Sequence, residues 1–122
     1  MKIKIYTSTE FDAAHKLNLD YESKCNTLHG HHWKVIVWVE GDYKAKGNGL
    51  LFDFSKIKSI IKEFDHKDIT DMIIINGERV NSTAENIAYK ILESLCSYEG
   101  DLTFTVRVYE SPKSWAEVSN EQ

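Results

Sequence analysis

The first fifteen residues alternate. Ile3, Ile5, Thr7, Thr9, Phe11, Ala13 and His15 fall on one face, and Lys2, Lys4, Tyr6, Ser8 and Glu10 on the other. A period of two predicts a half-buried strand. Residues 16–28 read as a polar loop. Alternation then resumes: His29, His31, Trp33, Val35, Val37 and Val39 share a face opposite His32, Lys34, Ile36, Trp38 and Glu40, and "GDYKAKGNG" turns the chain at residues 41–49. The period lengthens at residue 53. Phe54, Ile57, Ile60, Ile61 and Phe64 lie at helical spacing, with Asp53 as the N-cap. Residues 65–81 form an irregular connection. Ala84, Ile87, Ala88, Ile91, Leu92 and Leu95 make the apolar stripe of a second helix. Ser82 and Glu85 have capping-box spacing there, and Thr83 is a rival cap. Leu102, Phe104, Val106, Val108 and Glu110 alternate as a third strand. "SPK" then leads into a short fourth strand near residues 115–118.

The predicted order is β-β-α-α-β-β. Segregated strands and helices argue an α+β fold: a four-stranded, mostly antiparallel sheet with two helices on one face. A length of 122 residues fits one domain, residues 1–122. Such a small sheet leaves edges to cover, which favours a homo-oligomer joined through them.

Composition narrows the class. With 42% hydrophobic and 28% charged residues the chain reads as globular. The apolar run "MIII" at residues 72–75 is far too short to span a bilayer, and "MKIKIYTSTEF" has no apolar core of a signal peptide. The expected location is cytoplasmic, with no membrane partner. A net charge of −4 without a basic stripe argues against a nucleic-acid partner. Two cysteines, Cys25 and Cys96, make no disulfide framework.

The apolar faces end in polar groups. His15 closes the inner face of the first strand, and His29 and His31 open that of the second. Antiparallel pairing would bring the three together, with His29 and His31 roughly 7 Å apart along the strand and Gly30 leaving room between them. Three neutral imidazoles favour zinc and leave a coordination position open. A rival reading adds Cys25 and closes the site as a structural centre in a non-catalytic module. Cys25 also has the profile of a reactive thiol, whereas Cys96 fits the core of the second helix and His32 a polar strand terminus. Asp65 and His66 pair a carboxylate with an imidazole, either at a surface helix end or as an acid–base couple. Glu110 is either solvent-facing or, if buried, in need of N–H donors.

Together these residues carry a resemblance. "FDAAH", "CNTLHGHHW", "GLLFDF", "FDHKDIT", "STAENIA" and "VRVYES" resemble, in order and nearly end to end, the motifs of the 6-pyruvoyltetrahydropterin synthase family. The first two are specific as a pair. The likeness is greatest to the bacterial 6-carboxytetrahydropterin synthases of queuosine biosynthesis. Phe64 stands where the family usually has leucine, and Ile69-Thr70 where it has Leu-Asn. The resemblance implies the tunnelling (T) fold, with subunits joined edge to edge as trimers or hexamers and sites between them. It implies one Zn²⁺ per subunit on His15, His29 and His31, and Cys25 as the general base. Asp65 and His66 would be the partner acid–base pair, expected from a neighbouring subunit. Glu110 would anchor the guanidine-like edge of a pterin, helped by Thr83 and Glu85. The implied substrate is 7,8-dihydroneopterin triphosphate, and the implied products are 6-carboxy-5,6,7,8-tetrahydropterin, acetaldehyde and triphosphate. A pyruvoyl- or hydroxymethyl-pterin is the alternative product. The three residues between Cys25 and His29 match the bacterial spacing, and a cysteine rather than a glutamate argues against the hydroxymethyl branch. Lys16, Lys24 and Lys34 are the nearby candidates to meet the triphosphate.

Overall fold

The computed structural model describes residues 1–43, 45–98 and 100–121. The two alternating segments form long antiparallel strands, β1 (Lys2–His15) and β2 (His29–Asp42), paired along their whole length from Lys2↔Asp42 to His15↔His29. The turn after β2 includes Lys44, which lies outside the described residues. Helix α1 (Phe54–Lys62) starts where expected: the Asp53 carboxylate accepts the Ser55 N–H at 2.9 Å and satisfies an otherwise orphaned helix donor.

The connection at 65–81 is more ordered than its sequence suggests. It holds three two-residue strands, β3 (Lys67–Asp68), β4 (Ile74–Ile75) and β5 (Glu78–Arg79). β4 and β5 form a small hairpin around Asn76 and Gly77, whose positive φ angles of 53° and 79° suit an Asn-Gly turn. β3 pairs in parallel with β1 at Ala13 and Ala14. Helix α2 (Ala84–Cys96) follows, then β6 (Thr103–Ser111) and β7 (Ser114–Ser119).

The main sheet therefore has five strands in the order β3-β1-β2-β6-β7. Four are the antiparallel strands that the alternation predicts, and β3 is the addition. Both helices cover one face, α2 against β6 and β7 and α1 against β1. Between them Trp33, Val35, Val37, Val39, Phe104, Val106 and Val108 are fully buried. Phe11 stacks on Trp33 at 5.8 Å, and the Trp33 indole N–H donates to the Ala13 carbonyl at 3.3 Å. This packing locks β1 against β2 just below the ends where the histidines emerge.

Two local readings change. Thr83, not Ser82, caps α2: its hydroxyl accepts the Asn86 N–H at 3.1 Å, while Ser82 is buried and engaged elsewhere. Cys96 is only half-buried, beside the core rather than within it, and its sulfur lies 3.5 Å from the Asn120 amide nitrogen.

Candidate active site

The register that pairs His15 with His29 also sets His31 opposite Ala13, two residues inward on the same face. The three imidazoles converge. Ring centroids lie 4.7 Å apart for His15–His29, 5.3 Å for His15–His31 and 4.7 Å for His29–His31. One nitrogen from each lies within 4.8 Å of the other two, and His15, His29 and His31 form the metal-capable cluster among the described residues. Cys25 is not among them, so the cluster itself offers three ligands. Gly30 is not needed to make room, since a Cβ there would meet nothing within 4 Å; its far side opens onto a cleft instead.

Backbone carbonyls decide which nitrogens face inward. His15 Nδ1 donates to the Ser82 carbonyl at 2.8 Å, and the Ser82 hydroxyl lies 3.2 Å away. His29 Nδ1 donates to the Thr27 carbonyl at 2.7 Å. A carbonyl can only accept, so each Nδ1 carries the proton and each Nε2 keeps its lone pair for the centre. Burial holds the His15 imidazole below its ordinary pKa, against the Ser82 carbonyl that favours the charged form. Burial also lowers His31, opposed by the nearby Glu110 carboxylate. Neutral imidazoles are what a metal requires.

The decisive fit is an unmet demand. His15 Nε2 and His31 Nε2 are buried without hydrogen-bond partners. Glu110 Oε1 approaches His31 Nε2 at 3.3 Å but is not aligned for a bond. Orphaned buried polar atoms are costly, and one cation shared by the three rings would satisfy them. The site can therefore hold a metal ion.

Three clefts are lined by a histidine of the cluster or by a residue beside one. One, of about 290 Å³, is lined by Glu85, Glu110, Ser114 and Trp115. It brings two of the expected substrate residues together; Thr83, the third, lines a different cleft. A second, of about 540 Å³, holds His31, Gly30, His32 and His66. Asp65 and His66 sit beside β1: the Asp12 N–H donates to Asp65 Oδ1 at 3.0 Å, and the His66 N–H to the Asp12 carbonyl at 2.7 Å. The Asp12 N–H holds the Asp65 carboxyl below the usual carboxylate range. His66 Nε2 lies 3.7 Å from Asp65 Oδ2, and its backbone has φ 59°, an unusual conformation for a residue with a side chain. Cys25 sits in a single 3₁₀ turn, Lys24–Asn26, whose cap is the Ser23 hydroxyl at 3.1 Å from the Cys25 nitrogen. Its carbonyl accepts the Leu17 N–H at 2.7 Å, just beyond the end of β1.

Sequence reasoning missed Ser82, Thr27 and Asp12. Each reaches His15, His29 or the Asp65–His66 pair through its backbone, and Ser82 does so across 67 residues of chain. No side-chain pattern records such a contact.

The description "6-pyruvoyl tetrahydropterin synthase" belongs to the family model that matches residues 4–121. The chain belongs to this family. A Haemophilus influenzae member named 6-carboxy-5,6,7,8-tetrahydropterin synthase is 33% identical, over 93% of this chain and 96% of its own. A Pyrococcus furiosus relative named dihydroneopterin monophosphate aldolase is 34% identical, over 78% of this chain and 76% of its own. The 6-pyruvoyl tetrahydropterin synthase of Caenorhabditis elegans superposes with a TM-score of 0.76 at 24% identity, over 99% of this chain and 97% of the other. That likeness shows the shared T-fold. The family members place the chain among pterin-processing lyases.

Proposed function

We propose that this family member is a zinc-dependent 6-carboxytetrahydropterin synthase acting in queuosine biosynthesis. It would convert 7,8-dihydroneopterin triphosphate and water to 6-carboxy-5,6,7,8-tetrahydropterin, acetaldehyde and triphosphate. The observation that carries the reading is the three-histidine cluster, in which His15 Nε2 and His31 Nε2 are buried and partnerless, together with the named relative matched over most of both chains.

His15, His29 and His31 would hold Zn²⁺, their Nδ1 protons directed outward by Ser82 and Thr27 where those bonds exist. Zinc bound there supplies Lewis acidity toward the substrate's side-chain oxygens. Glu110 and Glu85 present carboxylates to one cleft, suited to the N–H-rich edge of a pterin, and the Thr83 hydroxyl can still donate although it caps α2. Cys25 is the proposed base that takes a proton from the side-chain carbon, and His66, oriented by Asp65, the group that returns one. Elimination of triphosphate, then addition of one water and carbon–carbon cleavage to carboxylate and acetaldehyde, complete the reaction.

The aldolase name of the second relative favours one other reading, a hydroxymethyl-pterin as product. Incubating the zinc-loaded protein with dihydroneopterin triphosphate and analysing products by mass spectrometry tests both. The expected result is 6-carboxytetrahydropterin with stoichiometric acetaldehyde. A hydroxymethyl- or pyruvoyl-pterin, or no new pterin, would overturn the proposal.

A further inference from the structure

The third cleft, of about 920 Å³, is walled at the start of α2 by Thr83 and Asn86, where Ala84 and Glu85 line the cleft of Glu110, and Lys16 and Arg79 are its cations. We propose that it seats the phosphate chain of the substrate, with Lys16 and Arg79 as its recognition groups. The inference rests on the proposed function, in which the substrate is a phosphorylated dihydropterin.

Two physical links tie this cleft to the metal cluster. Lys16 directly follows His15 in the chain, and its N–H donates to the Thr70 hydroxyl at 3.0 Å. On the facing wall, Asn81 and Thr83 flank Ser82, whose carbonyl orients His15. These links set the cleft beside the residue that follows His15 and the residues that flank its orienting carbonyl. The cleft of Glu85 and Glu110 has two carboxylates and no cation, whereas this one has two cations and one carboxylate, Asp71, which leaves the pterin edge for the glutamates and the anion for Lys16 and Arg79.

The walls are preorganised, so recognition does not fall to their amides. The Asn18 N–H donates to Asn81 Oδ1 at 2.9 Å, and Asn81 Nδ2 returns a bond to the Asn18 carbonyl at 3.3 Å. Asn86 Nδ2 holds the Asn81 carbonyl at 2.9 Å, and Asn26 Oδ1 accepts the Leu19 N–H at 3.0 Å. With these groups engaged, the charged donors are left. Arg79 Nη1 lies 2.9 Å from Asp71 Oδ1, but both side chains are largely exposed, at 63% and 68%. Such a pair is weak and readily outcompeted. Arg79 keeps further N–H groups for a phosphate, in the planar arrangement that phosphate oxygens match.

The structure also separates the three lysines near the motifs. Lys34 lies over the Tyr109 ring at 5.8 Å, opposite Tyr109 in the β2–β6 register. Lys24 is exposed on the turn of Cys25 and lines none of the three clefts. Lys16 is the one in the cleft.

Inorganic triphosphate titrated into the zinc-loaded protein by calorimetry tests this, with metal content assayed afterwards to exclude stripping. Lys16→Gln and Arg79→Gln should each weaken binding by about tenfold, the scale of losing one charge-assisted contact, while melting temperature stays at the wild-type value. Arg79→Lys should recover part of the loss, and Lys34→Gln should bind as wild type does. Wild-type affinity in both Lys16→Gln and Arg79→Gln, or an equal loss in Lys34→Gln, would overturn the assignment. If the wild-type protein binds triphosphate with this dependence but yields no product from dihydroneopterin triphosphate, the phosphate site stands and the proposed reaction falls. If it turns over and neither variant changes triphosphate affinity, the reaction stands and the phosphate site falls.

Discussion

At the scale of single residues the proposed site divides into groups that would hold the metal and groups that would react. His15 is 1% exposed and lies between Trp33, at 5.0 Å between ring centroids, and the other two imidazoles. Cys25 is tied to the same strand end only through backbone bonds and stays out of the histidine cluster. Replacing it with alanine should therefore leave zinc content at one per chain. Turnover should fall on the order of 10²- to 10⁴-fold, as expected for a lost proton-transfer group. Elemental analysis and a rate assay on one preparation check both, and loss of zinc in Cys25→Ala would show the thiol to be a ligand. The buried histidines also set a pH dependence for the metal-free protein. His15 and His31 are depressed in the fold by burial, so the unfolded chain binds more protons as pH drops. Their contribution to stability is complete above the ordinary histidine value of about 6.5 and is lost as pH falls below it. His32 is raised by its 2.6 Å bond to Asp12 and works in the opposite direction, but from an exposed surface. The melting temperature of metal-free protein should thus fall between pH 7 and 5.5, and His15→Asn should flatten that slope.

At the scale of elements, the strongly periodic segments were legible and the connection was not. β1, β2, α2 and β6 each bury the face that their apolar spacing marks. Asp53 caps α1 as its position before an apolar run suggests. The segment 65–81 resists such reading because its order comes from distant partners: Ile69 N–H bonds to the Ala14 carbonyl at 2.8 Å, and Ile69 and Ile73 are fully buried under it. Only the Asn76-Gly77 turn within it carries a local signal. At the start of α2, Ser82, Thr83 and Glu85 fit two caps equally well in sequence, and burial decides between them. Ser82 turns inward to His15, which leaves Thr83 to satisfy the helix. Thr83→Ala should cost about 1 kcal/mol in stability, read as a lower denaturant midpoint at unchanged slope, with Thr83→Ser restoring most of it. Ser82→Ala keeps both that cap and the carbonyl bond to His15, so it should lower the midpoint less.

At the scale of the whole molecule, strand order places the chemistry at two opposite edges of the sheet. β3 is one edge, and Asp65 and His66 lead directly into it; β7 is the other, and Ser114 and Trp115 at its start line the cleft of Glu85 and Glu110. That separation was invisible in the sequence, because β3 is two residues long and pairs with a strand more than fifty positions earlier. Open edges favour closure against other strands. Joining β7 of one copy to β3 of the next is a heterologous contact, which heals both edges at once when it closes into a ring. The same contact would carry each His66 to the cleft of its neighbour. Within one chain, by contrast, the backbone of His66 is fixed to Asp12 while that of Cys25 is fixed to Leu17, beyond the strand's end. Composite sites of this kind predict complementation. Cys25→Ala and His66→Ala chains should each be inactive alone. Co-expressed in equal amounts, they should recover about a quarter of wild-type activity, because each site draws its cysteine from one copy and its histidine from another at random. Light scattering on the same sample should report an oligomer. Sites complete within one chain would give no recovery at any mixing ratio, since every chain in the mixture then lacks one of the two groups.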